Sequence, residues 1–315
     1  MSRWHPLTRD LTDRLVRFWR DHHPMFPLTE PLLIERVFGP PDAAPERSLC
    51  ALDARGEIEA LALIVPPGPP DAASGERIGG LRWFGARGLI PDEALGGAML
   101  AESLDRLGEA GATVVDAYAT PPYYIQPGID LRHTGLIVWF LERGFEPHRT
   151  IVNMTVDLAS RPWPSLEELA RPDAEGYVVR RARPAEREAF LSYCRRDWTA
   201  HWAAEAAQGF DHDPRSLFLA VGGDGAGRTA SAADEIVGFA AYETNQCLGC
   251  FGPTGVSPAH QGRGLGRRLL WATLADLRTL GRRRAEIGWV GPVDFYYRAA
   301  GATLGPVFWA LRRRL

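Results

Sequence analysis

Val256-Ser257-Pro258-Ala259-His260-Gln261-Gly262-Arg263-Gly264-Leu265-Gly266 is the stretch of this chain with the most to say. It separates a run with strand character, 250–256, from a run with helical spacing, 266–280. Glycines at 262, 264 and 266 carry no Cβ, so the backbone there approaches a ligand closely and tolerates positive φ. The start of a helix adds unpaired N–H groups and the positive end of its dipole. Gln261 through Gly266 therefore read as an anion cradle suited to a pyrophosphate. Arg263, Arg267 and Arg268 add positive charge beside it.

Glycine-rich turns between a strand and a helix have several owners. A P-loop needs a Gly-Lys-Ser or Gly-Lys-Thr ending. All 36 basic residues here are Arg, so that ending is absent. A dinucleotide fingerprint needs Gly-x-Gly-x-x-Gly early in a βαβ unit. The spacing here is Gly-x-Gly-x-Gly, in the last quarter of the chain.

Working outward, the 315 residues fit two domains better than one. A Pro- and charge-rich stretch, Ser160-Arg161-Pro162-Trp163-Pro164 through Arg171-Pro172-Asp173, reads as a linker with a short helix at Leu166–Leu169. The divisions are 1–160, a linker at 161–175, and 176–315. The halves echo each other. Leu100, Leu104, Leu107 and Gly111 match Leu270, Leu274, Leu277 and Gly281 at an offset of 170. Spacings of four, three and four residues place the leucines on one helix face, with the glycine as the stop. Short strands follow at 113–119 and 284–290. Matching Gly88-Leu89-Ile90-Pro91 to Gly255-Val256-Ser257-Pro258 implies that the first half lacks three residues before its helix. It carries 13 extra residues around Pro121-Pro122-Tyr123-Tyr124-Ile125-Gln126-Pro127-Gly128. Strand, helices, three strands, helix, strand, helix, strand makes an α+β layout with a mixed sheet.

Composition narrows the function classes. Apolar residues make up 45 %, enough for a core without covalent staples. The net charge of −3 argues against a general nucleic-acid binder. No apolar run approaches the ~20 residues of a membrane span, and the first residues hold no apolar leader, so a cytoplasmic protein is expected. The four cysteines are too few for a disulfide scaffold. Cys247-Leu248-Gly249-Cys250 lacks the second pair a zinc site needs and reads as strand-edge thiols. His22-His23 reads as a helix end. No metal is expected.

The loop and its flanks resemble the GNAT acetyltransferase family. Its signature is Gln or Arg, two residues, Gly, one residue, then Gly or Ala, met by Gln261, Gly264 and Gly266. Val256 and Pro258 upstream and Leu269-Leu270 downstream also match. The resemblance spans most of 176–315, and the first half resembles a diverged copy. It implies two tandem domains, each a mixed, mostly antiparallel sheet flanked by helices. It implies acetyl-CoA as cofactor, bound where the strand before the loop splays from its neighbour. Gly255, Val256 and Ser257 would pair with the pantetheine arm. The Val256 N–H would polarise the thioester carbonyl.

The resemblance further implies N-acetyl transfer to a small-molecule or peptide amine by direct attack. Tyr297, four residues before Gly301, would protonate the leaving thiolate. Glu243 and Glu286 are the candidate bases. The family's Asn is missing at Val290-Gly291-Pro292. Trp198, His201 and Trp202, with Glu205, Asp211 and Asp213 nearby, fall where relatives wall the acceptor site; ordinary packing explains them equally well. The first half has Pro91-Asp92-Glu93-Ala94-Leu95-Gly96-Gly97 for a loop and Phe140 for Tyr297. Acids stand where phosphate would sit, so one acetyl-CoA per chain is expected. The alternative is a CoA-binding regulatory module without turnover. A homodimer is compatible with either.

Overall fold

The computed structural model describes residues 4–23, 28, 30–39, 45–88, 90–120, 124–222, 235–244 and 248–315. In chain order the elements are α1 (Thr12–His22), α2 (Glu30–Phe38), β1 (Leu49–Leu52), β2 (Ile58–Val65), β3 (Ile78–Ala86), α3 (Glu93–Glu109), β4 (Val114–Ala117), β5 (Ile129–Asp130), α4 (Thr134–Leu141) and β6 (Glu146–Asp157). They continue with α5 (Leu166–Leu169), β7 (Val178–Arg181), α6 (Arg187–Asp197), α7 (Ala200–Ala207), β8 (Leu217–Gly222), β9 (Glu235–Tyr242), β10 (Cys250–Val256), α8 (Leu265–Thr279), β11 (Arg284–Ile287), α9 (Val293–Ala300) and β12 (Thr303–Arg314). The short linker helix is observed, closed by a capping box between Ser165 and Glu168. His23 caps the end of α1.

The chain packs as two compact units, Met1–Ile151 with Pro306–Leu315, and Val152–Gly305. In the first, β1, β2 and β3 are antiparallel, β3 and β4 are parallel, and β4 is antiparallel to β12. In the second, β7, β8, β9 and β10 are antiparallel, β10 and β11 are parallel, and β11 is antiparallel to β6. The same pattern runs twice. The last strand of each pattern is exchanged: β6 follows the first half in sequence but its residues 152–157 complete the second unit, and residues 306–314 of β12 complete the first. The linear divisions describe chain order, while packing crosses them.

Each unit has its own core. Strands β2 and β8 are apolar on both faces, as sheet covered on both sides requires. Leu269, Leu270, Leu274 and Leu277 of α8 are fully buried on one face of the second sheet, with Phe251, Tyr242 and Ile287. Its other face carries Phe239, Leu219 and Ala241 under α6 and α7.

Strand register corrects the comparison of the halves. Leu81 pairs with Ala117 as Phe251 pairs with Ile287, and Leu100 answers Leu270, an offset of 170 in every case. A bulge falls at Arg82 in β3 and at Gly252-Pro253 in β10, again at that offset. The first half therefore lacks no residues before its helix. Its proline simply stands elsewhere, and the difference is composition. Part of the inserted segment, 121–123, lies outside the described residues, as do Leu89 and Cys247. No helix among the described residues is long and apolar enough to cross a membrane.

Candidate functional site

The site grows from one parting of strands. β10 and β11 pair in parallel at Cys250–Glu286 and Phe251–Ile287. Beyond Phe251 comes the bulge, where Pro253 has no N–H to donate. From there β10 follows β9 alone, with Thr254, Gly255 and Val256 opposite Ala240, Phe239 and Gly238. The Ser257 N–H donates to Val237 O at 2.9 Å. In an antiparallel pair the direction alternates with each residue, so the N–H groups of Thr254 and Val256 face away from β9, into the gap. Thr254 is a donor that sequence reading missed; its signal is the bulge, visible only in register.

The glycine loop closes the wide end of the gap. Gly262 and Gly264 have φ of +78° and +76°, and a Cβ on Gly262 would meet nothing within 4 Å. Gly264 is the N-cap of α8 and offers no side-chain acceptor, so the first-turn amides beginning at Leu265 and Gly266 have no side-chain cap. The Gln261 amide donates to Val256 O at 3.0 Å and pins the loop to the strand end. A Cβ on Gly266 would lie 3.6 Å from Phe295.

The arginines divide. Arg267 stays at the first turn with its guanidinium 5.0 Å from the Trp271 ring. Arg263 turns to Glu175. Arg268 bonds Asp173 and the carbonyls of Leu169, Arg171 and Tyr177, tying the linker down. Its charge is spent there, and it adds little to the cradle.

The catalytic candidates are equally uneven. Tyr297 lies on α9 and is 64 % exposed. Its neighbour Tyr296 is buried against Phe251 and Phe295, and burial pushes its phenol up to about 12. Glu243 accepts from Arg282 at 2.7 Å and from the Gly249 N–H at 2.6 Å. It closes the β9–β10 turn, at the opposite end of β10 from the loop. Glu286 is half-buried on β11, beside the apex of the gap, and accepts from Asn153 Nδ2 at 2.5 Å. Asn153 is itself buried, and its Oδ1 accepts from the Trp289 N–H at 2.9 Å.

Over the other edge of the gap stand Trp198 and Trp202, stacked at 5.2 Å and 23°. Ser257 Oγ bonds Asp197 Oδ2 at 2.5 Å and Tyr193 Oη at 3.1 Å. Arg196, and then Ser257, hold the Asp197 carboxyl below its ordinary range, while burial raises the Tyr193 phenol. His201 is exposed, and Asp211 pairs with Arg187. Cys250 is a buried free thiol, and no metal-binding group occurs among the described residues.

Residues 163–299 match the model of the acetyltransferase (GNAT) family. The chain carries a GNAT domain. No curated protein matches it. Among solved structures it is similar to a GCN5-related N-acetyltransferase from Sphaerobacter thermophilus, at 16 % identity and TM-score 0.67, covering 100 % of this chain and 96 % of that one. It is also similar to a tandem GNAT protein from the clavulanic acid biosynthesis pathway, at 14 % identity and TM-score 0.64, covering 99 % and 97 %. A glucosamine N-acetyltransferase region in a fungal multi-domain β-N-acetylglucosaminidase matches at 16 % identity and TM-score 0.71. There the match covers 96 % of this chain but 37 % of the fungal one. The fold is thus the GNAT fold, a mixed and mostly antiparallel sheet flanked by helices. The GNAT family is one of acyltransferases.

The first unit builds the corresponding strand–turn–helix segment differently. At the offset of 170, Asp92 stands at Gly262, and its carboxylate accepts from the Leu95 N–H at 2.7 Å. A built-in anion caps this helix start, where Gly264 gives α8 no side-chain cap. Tyr118 stands at Gly288 and is buried, and its hydroxyl donates to Phe84 O, at the level of Thr254. Phe140 is fully buried, like Tyr296, so its counterpart is Tyr296 and not Tyr297. The position of Tyr297 falls to Leu141, which carries no proton to give.

Proposed function

We propose that this protein is an N-acetyltransferase that moves an acetyl group from acetyl-CoA to a primary amine, small molecule or peptide, by direct attack. The parting of β10 from β11 beside an uncapped helix start is the observation that carries the reading. The amides at the start of α8, with Gly262, Gly264 and Arg267, hold the pyrophosphate. Gly255, Val256 and Ser257 line the pantetheine arm, and the outward N–H groups of Thr254 and Val256 meet the thioester end. There they stabilise negative charge developing on the carbonyl oxygen.

Glu286 takes a proton from the incoming amine, directly or through water, held in place by Asn153. The amine nitrogen forms its bond to the carbonyl carbon as the carbon–sulfur bond breaks. Tyr297 returns a proton to the leaving sulfur. Glu243 is omitted, because Arg282 and the Gly249 N–H already occupy it.

Calorimetry of acetyl-CoA with wild type and Gly264→Glu tests the site. The substituted carboxylate stands in the cradle in a left-handed conformation, and affinity is expected to fall at least about 100-fold, a like-charge and steric cost of about 3 kcal/mol. Equal binding by both proteins would sink the assignment. Thiol release across a panel of amines then separates an enzyme from a CoA-binding regulator.

A further inference from the structure

Which acyl group the site takes is written on the wall beside the gap; this rests on the reading just proposed. Gly255 lies between the two residues whose N–H groups face the gap, and its missing side chain is replaced by an indole. A Cβ there would lie 2.5 Å from Cζ2 of Trp198, 2.7 Å from Cε2 and 2.9 Å from Cη2. The ring therefore sits directly on the strand backbone next to the thioester end.

Three contacts hold it. Its Nε1–H donates to Tyr193 Oη at 3.2 Å. Its face stacks on Trp202. Its edge meets Phe239 at 6.4 Å and 72°. Tyr193 is buried and bonded to Ser257 Oγ at 3.1 Å, so turning the indole away breaks a network that reaches the cofactor loop. The other face of the sheet gives no room either. Phe251 and Tyr296 are 4 % and 7 % exposed there and pack against each other at 6.1 Å. An acyl chain leaving the narrow end of the gap meets packed core on one face and a fixed indole on the other.

We propose that Trp198 sets acyl-chain length, admitting acetyl and excluding longer straight chains. A methylene meeting a fixed wall discriminates by about tenfold or more. The test measures dissociation constants of free CoA, acetyl-CoA, butanoyl-CoA and hexanoyl-CoA with wild type, Trp198→Ala and Trp198→Phe. Each thioester is expressed relative to free CoA on the same protein. Wild type is expected to bind hexanoyl-CoA at least about 30-fold more weakly than acetyl-CoA. Trp198→Ala is expected to narrow that ratio to about threefold, with Trp198→Phe between. If the alanine variant does not fold, the phenylalanine variant alone must shift the ratio. An unchanged ratio in the folded variants, or a wild type indifferent to chain length, overturns the inference. Failure of wild type to bind free CoA or any thioester overturns the proposed acetyltransferase itself.

Discussion

At the scale of single residues, two glutamates that look alike in sequence are separated by their partners. Glu243 is neutralised by Arg282, and Glu286 is held by a neutral amide beside the open gap. Glu286→Gln should lower kcat by about 100-fold or more and abolish the rise of kcat/KM on the acidic side of its pH profile. Glu243→Gln should leave that profile unchanged and act through stability instead. An unaltered profile in Glu286→Gln excludes it as base. Tyr297→Phe, with chemistry limiting, should lower kcat while leaving the dissociation constant of acetyl-CoA within about twofold.

His23 makes a separate prediction in the first unit. Burial among Phe18, Trp19 and Trp83 brings its imidazole down to about 3. The unfolded chain binds the proton near the ordinary value of about 6.5. The stability it contributes is therefore present above about 6.5 and is lost as pH falls toward 3, with a slope of at most about 1.4 kcal/mol per pH unit. His23→Phe should flatten that part of the unfolding profile. A parallel profile would show that other groups govern it.

At the scale of elements, one strand–turn–helix segment has two outcomes. In the second unit the helix begins at a left-handed glycine and the strand beside it parts from its neighbour. In the first, Asp92 caps the helix and Tyr118 fills the parting. A chain with both should bind one acetyl-CoA, read directly as calorimetric stoichiometry. Tyr118→Ala removes a buried ring and should cost about 3–5 kcal/mol, without raising the stoichiometry, because the Asp92 carboxylate remains. A second equivalent bound by that variant would show that the plug alone silences the first unit. The internal repeat and the glycine loop were legible because they are local: leucine spacing and a run of glycines need no partner to be read. The plug was not legible, since nothing at Tyr118 in sequence says that its hydroxyl reaches Phe84.

At the scale of the whole molecule, each unit depends on a strand that sequence order assigns to the other half. Arg312 on β12 is the direct register partner of Asp116 on β4, and the two pair at 2.6 and 2.8 Å in a half-buried position. Arg312→Ala should destabilise the first unit by about 2 kcal/mol in urea unfolding. Arg314→Ala is the control. That side chain is 77 % exposed, and its loss should cost about 0–1 kcal/mol. Equal effects would mean that the exchanged strand is held by its backbone alone. Deleting 306–315 should weaken cooperative unfolding of the first unit, because β4 then loses its antiparallel partner and keeps only β3.

By itself the sequence determined the elements, their repeat, the linker helix and the glycine loop that distinguishes the second half from the first. Those features follow from periodicity and backbone freedom, which act within a few residues. Tertiary structure alone decided the strand exchange, the equal loop lengths, the direction of the Thr254 N–H and the different partners of Glu243 and Glu286. A strand carries the same alternation whichever neighbour it joins, and a carboxylate carries the same charge until its partners are known. Pairing and burial depend on residues distant in sequence, 39 positions for Glu243 and Arg282 and 196 for Asp116 and Arg312, and only the folded chain brings them together.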